Sequence, residues 1–231
     1  YIPRSIVGNV HELARPNYIH KYFVDGTPSI ADAYFGGGWK SVLVASVGAG
    51  GRCIYALDVT NPRNFTANKV LWEFDSSVDT SMGQFVGRPA VGIATNTTAD
   101  SRWITAFGNG YNSTSQRAVL FVRRLSDGAS IAKIDTGVGC PSTQVGCIGP
   151  NGMATATLVD NTGDGVGETI YAGDYLGNIW RFEQSGNTWV TGNGGQPIFT
   201  AKEGMAANAK RQSITSGIYT VAHPLGGTML V

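Results

Sequence analysis

The protein has 231 residues and a formal net charge of +1, with 17 basic and 16 acidic side chains. Because it has no basic excess with which to neutralise phosphates, nucleic acid is excluded as an expected partner. No apolar run approaches the ~18 residues of a membrane-spanning helix, and no signal peptide is present, so we expect a mature or trimmed product without a transmembrane segment.

Extended segments recur along the chain with a period of roughly 60 residues. In the first unit, residues 27–75, strands are predicted at 29–33, 41–46, 53–58 and 70–74. Val, Ile, Leu, Tyr and Trp dominate these segments, and Gly, Asn, Asp and Pro occupy the gaps. This distribution is typical of short antiparallel strands joined by tight turns. Cys53, at the start of the third segment, is expected to be a small buried apolar side chain.

The second unit, residues 87–136, repeats the pattern with predicted strands at 90–94, 103–108, 118–123 and 130–135. Cys140 and Cys147 follow it and bracket the stretch "PSTQVG". Two cysteines this close in a flexible loop predict a local disulfide and an oxidising compartment. Two free thiols in a cytosolic loop are the alternative.

The third unit, residues 150–200, has predicted strands at 154–159, 169–173, 178–182 and 196–200. A fourth unit, residues 211–231, stops after its second strand. Four-stranded units at a fixed period predict an all-β fold of the β-propeller class, because a β-sandwich has no such repeat. The small-residue first strand of each unit is predicted to be innermost. The half unit leaves an open sheet edge, so we expect about three and a half blades of a longer natural domain.

The loop between the first two strands of the third unit, "DNTGDGVGE", carries three acids, Asp160, Asp164 and Glu168. Like charges this close repel one another unless a cation lies among them. A hard cation such as Ca²⁺ takes about six to eight oxygen ligands, and Gly165, at the sixth position, permits the sharp turn that brings them together. The sequence therefore predicts a calcium site, with a plain Asp/Asn/Gly turn as the alternative.

The same spacing assigns two further ligands by position. Thr162 stands at the third position, and Val166 stands at the seventh, where the backbone carbonyl is used. The predicted ligands are therefore Asp160, Thr162, Asp164, Val166 and Glu168. The pattern departs from an EF-hand beyond this point, because Tyr171 occupies the twelfth position and a strand follows instead of a helix.

Several long motifs resemble those of one family. The stretches "DGTPSIADAYF", "GAGGRCIYALDVTNP", "FGNGYNS" and "LVDNTGDGVGETIYAGDYLGNIWRF" resemble the C-terminal propeller domain of the PilY/PilC proteins. Those proteins are type IV pilus tip-associated adhesins and biogenesis factors. The resemblance runs along nearly the whole chain, and it implies a quinoprotein-like, modified seven-bladed propeller that is longer than this chain, with an N-terminal domain outside it.

The resemblance also implies a function and a setting. Calcium in the nine-residue loop would regulate pilus extension and retraction, at the cell surface after export through the periplasm. The implied partners are minor pilins at the pilus tip and host or abiotic surfaces. Carried over by motif, the ligands are the same five residues, and the chain departs from the family pattern at Thr162 and Glu168. No catalytic residue is implied, so we expect no enzyme activity.

Two other functions remain open. The stretch "IYALDVTNP…KVLWEF" resembles the docking motif of quinoprotein dehydrogenases, which bind pyrroloquinoline quinone, but only one unit carries it convincingly. Without a cofactor, Trp72 and Asp58 of this stretch are predicted to lock neighbouring blades together, and Trp39, Trp103 and Trp180 are predicted to pack between blades. The other alternative is a non-adhesive scaffold that docks pilus or outer-membrane components.

Overall fold

A computed structural model of the protein describes residues 1–94, 102–206 and 209–231. Three antiparallel sheets follow one another along the chain, and in each sheet the main strands pair with their neighbours in sequence. These sheets are the blades of an all-β, partial β-propeller, which is the fold class that the repeat predicts.

Blade 1 contains β1 (Ser29–Phe35), β2 (Gly38–Ser46), β3 (Cys53–Asp58) and β4 (Val70–Asp75). Its β3 strand is buried along its whole length because apolar side chains point to both faces of the sheet. Ile54 and Ala56 belong to the core shared with the second blade. Cys53 and Tyr55 pack on the opposite face against Ile6 of the N-terminal segment. Cys53 is a buried free thiol, as predicted.

Blade 2 contains β5 (Ala90–Ala94), β6 (Trp103–Gly108), β7 (Val119–Arg124) and β8 (Ser130–Asp135). The connection from blade 2 to blade 3 carries a disulfide between Cys140 and Cys147, whose Cα atoms lie 5.8 Å apart. The predicted local disulfide is therefore confirmed.

Blade 3 contains β9 (Met153–Val159), β11 (Thr169–Asp174), β12 (Asn178–Ser185), β13 (Thr188–Thr191) and β14 (Phe199–Thr200). The two-residue β10 (Val166–Gly167) lies between β9 and β11 in the chain but pairs with β5 in the sheet of blade 2. The outer strand predicted at 196–200 is wrong in part. Ser185 pairs with Thr188, so β12 and β13 are joined by a two-residue turn that contains Gly186 at φ 60°. The four-residue β13 covers the end of β12, and β14 pairs only with the start of β12.

Short elements cover the flanks of the three blades. The helix α1 (Arg4–Val7) places Ile6 against blade 1, and β15 (Thr220–Ala222) and β16 (Thr228–Leu230) form a hairpin beside blade 3. Single 3₁₀ turns lie at Val10–Ala14, Gly48–Gly50, Pro62–Asn64, Ala67–Lys69 and Asn193–Gly195. Among the described residues, no helix has the length and apolar character to cross a bilayer.

The hydrophobic core lies in the seams between blades. The first strands of the blades are neighbours, since β1 contacts β5 and β5 contacts β9, which agrees with their predicted inner position. The seam between blades 1 and 2 is filled by Phe74, Phe107 and Phe121. The seam between blades 2 and 3 contains the indole ring of Trp180 and the phenyl ring of Phe182.

Candidate metal site

The acidic loop, residues 160–168, joins β9 to β11 at one rim of the propeller. Its two ends are tied together, because the backbone N–H of Glu168 donates to the carbonyl of Val159 at 3.0 Å. The loop bends twice through positive φ, at Gly163 (80°) and Gly165 (84°). The reversal predicted at Gly165 is therefore present, and a side chain there would be strained.

Three of the predicted ligands come together on this loop. One carboxylate oxygen from each of Asp160, Asp164 and Glu168 lies within 4.8 Å of the other two. Asp160 and Asp164 are exposed, and Glu168 is partly buried. Among the described residues, no ion pair joins any of the three to a lysine or arginine. The cluster therefore carries uncompensated negative charge and could hold a hard cation.

Asp160 organises the backbone of the loop. Its Oδ1 accepts hydrogen bonds from the N–H groups of Thr162 (3.1 Å) and Gly163 (2.6 Å), and its Oδ2 accepts one from Gly165 (2.7 Å). The hydrogen bond from the Gly165 N–H contributes most to holding the pKa of Asp160 below its ordinary value. The bonds from Gly163 and Thr162 act in the same direction, because all three favour the ionised form. The carboxylate thus stays charged and pre-shapes the loop around the cluster.

Thr162 and Glu168 are connected across the loop. The Thr162 hydroxyl donates to Oε1 of Glu168 at 2.9 Å, and the N–H of Asn161 donates to Oε2 at 2.8 Å. Thr162 therefore lies beside the three carboxylates, as the spacing predicts. Each carboxylate offers about four lone-pair positions, so these hydrogen bonds leave acceptor capacity for an ion.

Val166 has a second role that the sequence did not indicate. Its N–H donates to Oδ1 of Asp164 at 2.9 Å. Together with Gly167 it forms β10, which pairs in parallel with Ile93 and Ala94 of blade 2. The use of the Val166 carbonyl as a ligand stays a prediction, but the residue itself joins the acidic loop to the neighbouring blade.

The attachment of the loop to blade 2 is close-packed. Leu158 lies against Gly92 and Gly167, and a Cβ atom on either glycine would come within 2.7 Å or 2.5 Å, respectively, of a Leu158 side-chain carbon. At Gly167 the added atom would also come within 2.5 Å of the branching Cγ of Leu158, so Leu158 would have to move, whereas at Gly92 it would meet only a terminal methyl group. Gly167 therefore allows Leu158 to pack closely where the loop joins blade 2.

The predicted lock between blades 1 and 2 is confirmed for one of its two residues. Trp72 donates its Nε1–H to the carbonyl of Leu125 in blade 2 at 2.8 Å. Within residues 1–94, 102–206 and 209–231, the hydrogen-bond donors to Asp58 are Thr60 and Lys69 of its own blade, and none comes from blade 2. Burial alone would raise the pKa of Asp58, but these hydrogen bonds outweigh it and lower the pKa to about 2.

The predicted inter-blade tryptophans differ in their surroundings. Trp180 is fully buried, and Trp103 packs partly buried against the core of the first seam. Trp39 contacts Trp103 across the seam, but it is 65 % exposed, so the prediction that it packs between blades is confirmed for the contact and not for burial. It lies next to the turn between β1 and β2.

One buried polar network had no counterpart among the predicted sites. The carboxylate of Asp174 is fully buried and accepts from the side chains of Asn151 (2.9 Å), Asn178 (2.8 Å) and Trp180 (2.8 Å). The spacing of Asp174, Asn178 and Trp180 along one hairpin was the available signal. Because neutral donors satisfy this carboxylate, the network orients the hairpin and fixes Trp180 in the seam.

Comparison with known proteins gives a consistent result. The profile of the PilY1 β-propeller domain family matches residues 4–227. A type IV pilus biogenesis factor PilY1 homologue from Xylella fastidiosa is 38 % identical over 240 residues, which cover 100 % of this chain and 16 % of the relative. The type IV pilus biogenesis factor PilY1 of Pseudomonas aeruginosa is 35 % identical over 250 residues, covering 97 % of this chain and 20 % of the relative.

A solved structure is also similar. The crystal structure of the Pseudomonas aeruginosa PilY1 C-terminal domain superposes with a TM-score of 0.75 at 33 % identity, over 90 % of this chain and 43 % of that chain. The protein therefore spans 20 % or less of the length of the two relatives named above.

Proposed function

The chain belongs to the PilY1 β-propeller family, and from that premise we propose that it is the calcium-binding part of a type IV pilus biogenesis factor and tip adhesin. The observation that carries the calcium assignment is the convergence of Asp160, Asp164 and Glu168 on one loop. A cluster made of carboxylates beside a hydroxyl fits a hard, oxygen-preferring cation better than a transition metal.

The proposed site is one of modest affinity. Thr162 presents a neutral hydroxyl where an acid or amide would bind more strongly, and the loop is largely exposed. We expect a dissociation constant within the ~10⁻⁷ to 10⁻³ M range of sensor and extracellular calcium sites. Such a site fills when the protein meets calcium outside the cell.

The residues of the acidic loop have distinct roles, and these roles support a calcium site. Bound there, Ca²⁺ supplies positive charge that offsets the repulsion among the three carboxylates. Asp160 keeps the loop closed by accepting hydrogen bonds from three backbone N–H groups. Asp164 accepts a hydrogen bond from the N–H of Val166. Val166 then stays in register with Ile93 of blade 2, so the charge state of the loop bears on the contact between two blades.

The proposed role follows from this arrangement and from the family. The loop would report calcium to the pilus machinery and so regulate pilus extension and retraction during surface attachment. Minor pilins at the pilus tip and host or abiotic surfaces are the proposed partners, and the cell surface is the proposed location. The names of the relatives as pilus biogenesis factors support this role. We propose no enzymatic activity.

The two alternatives make different demands. A quinone-dependent dehydrogenase would repeat the docking motif in most blades, whereas only one unit here carries it convincingly. The hydrogen bond from Trp72 to Leu125 joins two blades with or without a cofactor, so it does not separate the two functions. A non-adhesive scaffold would share the calcium loop and differ only in what it binds. Binding of the purified protein to minor pilins and to host matrix, measured side by side, separates adhesion from scaffolding.

Calorimetric titration of the purified protein with CaCl₂ tests the site. We expect wild type to bind calcium and Asp160→Ala to bind none, since it removes a ligand and the loop's backbone acceptor. Glu168→Gln can keep the bond from the Asn161 N–H on its amide oxygen, while its NH₂ group donates to the Thr162 hydroxyl with the direction reversed. It removes one negative charge and should weaken binding at least tenfold. Asp135→Ala is the matched control, because Asp135 is an exposed acid at the end of β8 whose partners are the N–H of Gly137 and the guanidinium of Arg117. If wild type binds no calcium at millimolar concentration, the proposal fails.

A further inference from the structure

A group of exposed aromatic side chains lies at the seam between blades 1 and 2. Tyr34 and Trp39 pair across the β1–β2 hairpin, and Trp103 begins β6 of blade 2. The ring centroids of Tyr34 and Trp39 are 5.7 Å apart, and those of Trp39 and Trp103 are 6.1 Å apart, with interplanar angles of 74° and 75°. The three rings meet edge to face and form one contiguous aromatic cluster across two blades, here called the aromatic wall.

The rings do not serve as ordinary core. Trp39 is 65 % exposed and Tyr34 is 43 % exposed, although an indole left in water forgoes a large hydrophobic stabilisation. Exposed apolar patches of this kind often mark recognition sites. Trp103 anchors the group, because it is partly buried against the core that fills the seam.

The wall encloses a pocket, here called the rim pocket, lined by Tyr34, Trp39, Ile93, Arg102 and Trp103. Its volume is about 270 Å³, which is near the lower end for ligand pockets. It therefore has room for one small ring and not for an extended peptide. Among the described lining residues, Arg102 is the one with a charged side chain, and it is exposed.

This lining selects a ligand by two criteria. A shallow aromatic wall suits a molecule with one apolar face and a polar remainder that stays in water, which describes a pyranose ring with its axial C–H groups on an indole. A guanidinium suits a carboxylate, which it can bind through two parallel hydrogen bonds. A purely aromatic ligand would leave one apolar face in water, whereas a sugar ring presents hydroxyl groups that stay hydrated there.

We propose that the rim pocket binds the terminal residue of an acidic glycan, with the sugar ring on Trp39 and its carboxylate toward Arg102. The pocket lies on the same rim as the acidic loop, because both occur where the first strand of a blade turns into the second. Ile93, which lines the pocket, is also the pairing partner of Val166. The proposal does not require calcium.

Saturation-transfer NMR and calorimetry with trigalacturonate test this proposal, with its neutral methyl ester as the matched ligand. We expect wild type to bind the acid more tightly than the ester. Trp39→Ala should weaken binding of both at least tenfold, and Arg102→Gln should abolish the preference for the acid. Tyr219→Ala removes another strongly exposed ring, far along the chain, and should change nothing. Because Trp39 and Arg102 are exposed, both variants should keep the wild-type melting temperature.

Each titration is run with and without a chelator, so that a carboxylate bridged by calcium at the acidic loop is distinguished from one bound by Arg102. Binding that disappears with the chelator would overturn the rim-pocket proposal and assign the ligand to the loop. Equal affinity for acid and ester, undiminished binding by Trp39→Ala, or no binding by wild type would also overturn it. Those outcomes leave calcium binding by Asp160 and its neighbours unaffected.

Discussion

The two seams of the protein are closed by different means. Between blades 1 and 2, Phe74, Phe107 and Phe121 form one aromatic cluster, with ring centroids 5.2 to 6.3 Å apart. The hydrogen bond from Trp72 to Leu125 reinforces this seam. Between blades 2 and 3 there is also an apolar core, but a strand from the acidic loop adds backbone pairing to it.

The difference separates a fixed seam from an adjustable one. Apolar burial in the first seam does not depend on any ion, and hydrophobic stabilisation there is set when the chain folds. In the second seam, β10 lies between Asp164 and Glu168 in the chain, so an ion bound at the proposed calcium site would bear on its position. Under that proposal, calcium would act at one seam while the other keeps the blades together.

The largest expected effect comes from breaking the fixed seam. Phe121→Ala removes a buried ring that contacts both other phenylalanines, so we expect a loss of about 3–5 kcal/mol of unfolding free energy in urea titrations. The exposed Val78→Ala should stay within about 0.5 kcal/mol of wild type. Equal stability of Phe121→Ala and wild type would show that the first seam is not packed as described.

The next effect comes from calcium at the adjustable seam. At a hundredfold excess of calcium over the dissociation constant, the folded state should gain ~2.7 kcal/mol, because the ion binds only the folded loop. Thermal melts of wild type and Asp160→Ala, each with calcium and with chelator, measure this gain. We expect the shift in wild type only; a similar shift in both proteins would place the ion elsewhere.

A smaller effect should follow from removing one hydrogen bond at the fixed seam. Trp72→Phe keeps a ring in place but leaves the carbonyl of Leu125 without its indole donor. We expect a loss of about 1–2 kcal/mol, independent of calcium. If the loss changed with calcium, the two seams would be coupled and the distinction between them would not hold.

The smallest expected effect is a pH dependence outside both seams. The pKa of Asp58 is lowered from 3.8 to about 2, so its ionised form is favoured in the folded state. The contribution of this carboxylate to the unfolding free energy is present above pH 4 and is lost as the pH falls toward 2. Because its lysine partners are partly exposed, we expect only about 1 kcal/mol, measured as the difference between wild type and Asp58→Asn at pH 5 and pH 2. A difference that does not change between these pH values would contradict the account of Asp58.

The sequence predicted what is periodic and local. Alternating apolar residues and glycine turns were enough to predict most strands, and the spacing of the acids was enough to bring Asp160, Asp164 and Glu168 together. The outer strand of blade 3 was missed because the two-residue turn at Gly186 was not recognised.

What could not be predicted depends on contacts between distant segments. The parallel pairing of Val166 with Ile93 joins two blades and has no signal within either stretch. The exposure of Trp39 likewise had no signal in its own strand, whose residue pattern resembles that of the buried tryptophans. Asp58 was assigned to the wrong partner because Lys69 and Thr60 of its own blade are closer.

Hydrogen–deuterium exchange with and without calcium tests the central claim most directly. If the acidic loop is a calcium-dependent clasp on blade 2, calcium should slow exchange in peptides covering residues 160–168 and also in peptides covering Ala90–Ala94. Exchange in Cys53–Asp58, which packs in the first seam and against the N-terminal segment, should stay unchanged. Slowed exchange at the loop alone would confine calcium to a local role. No change in either segment, at calcium concentrations that saturate the wild-type protein, would contradict the claim that calcium adjusts the second seam.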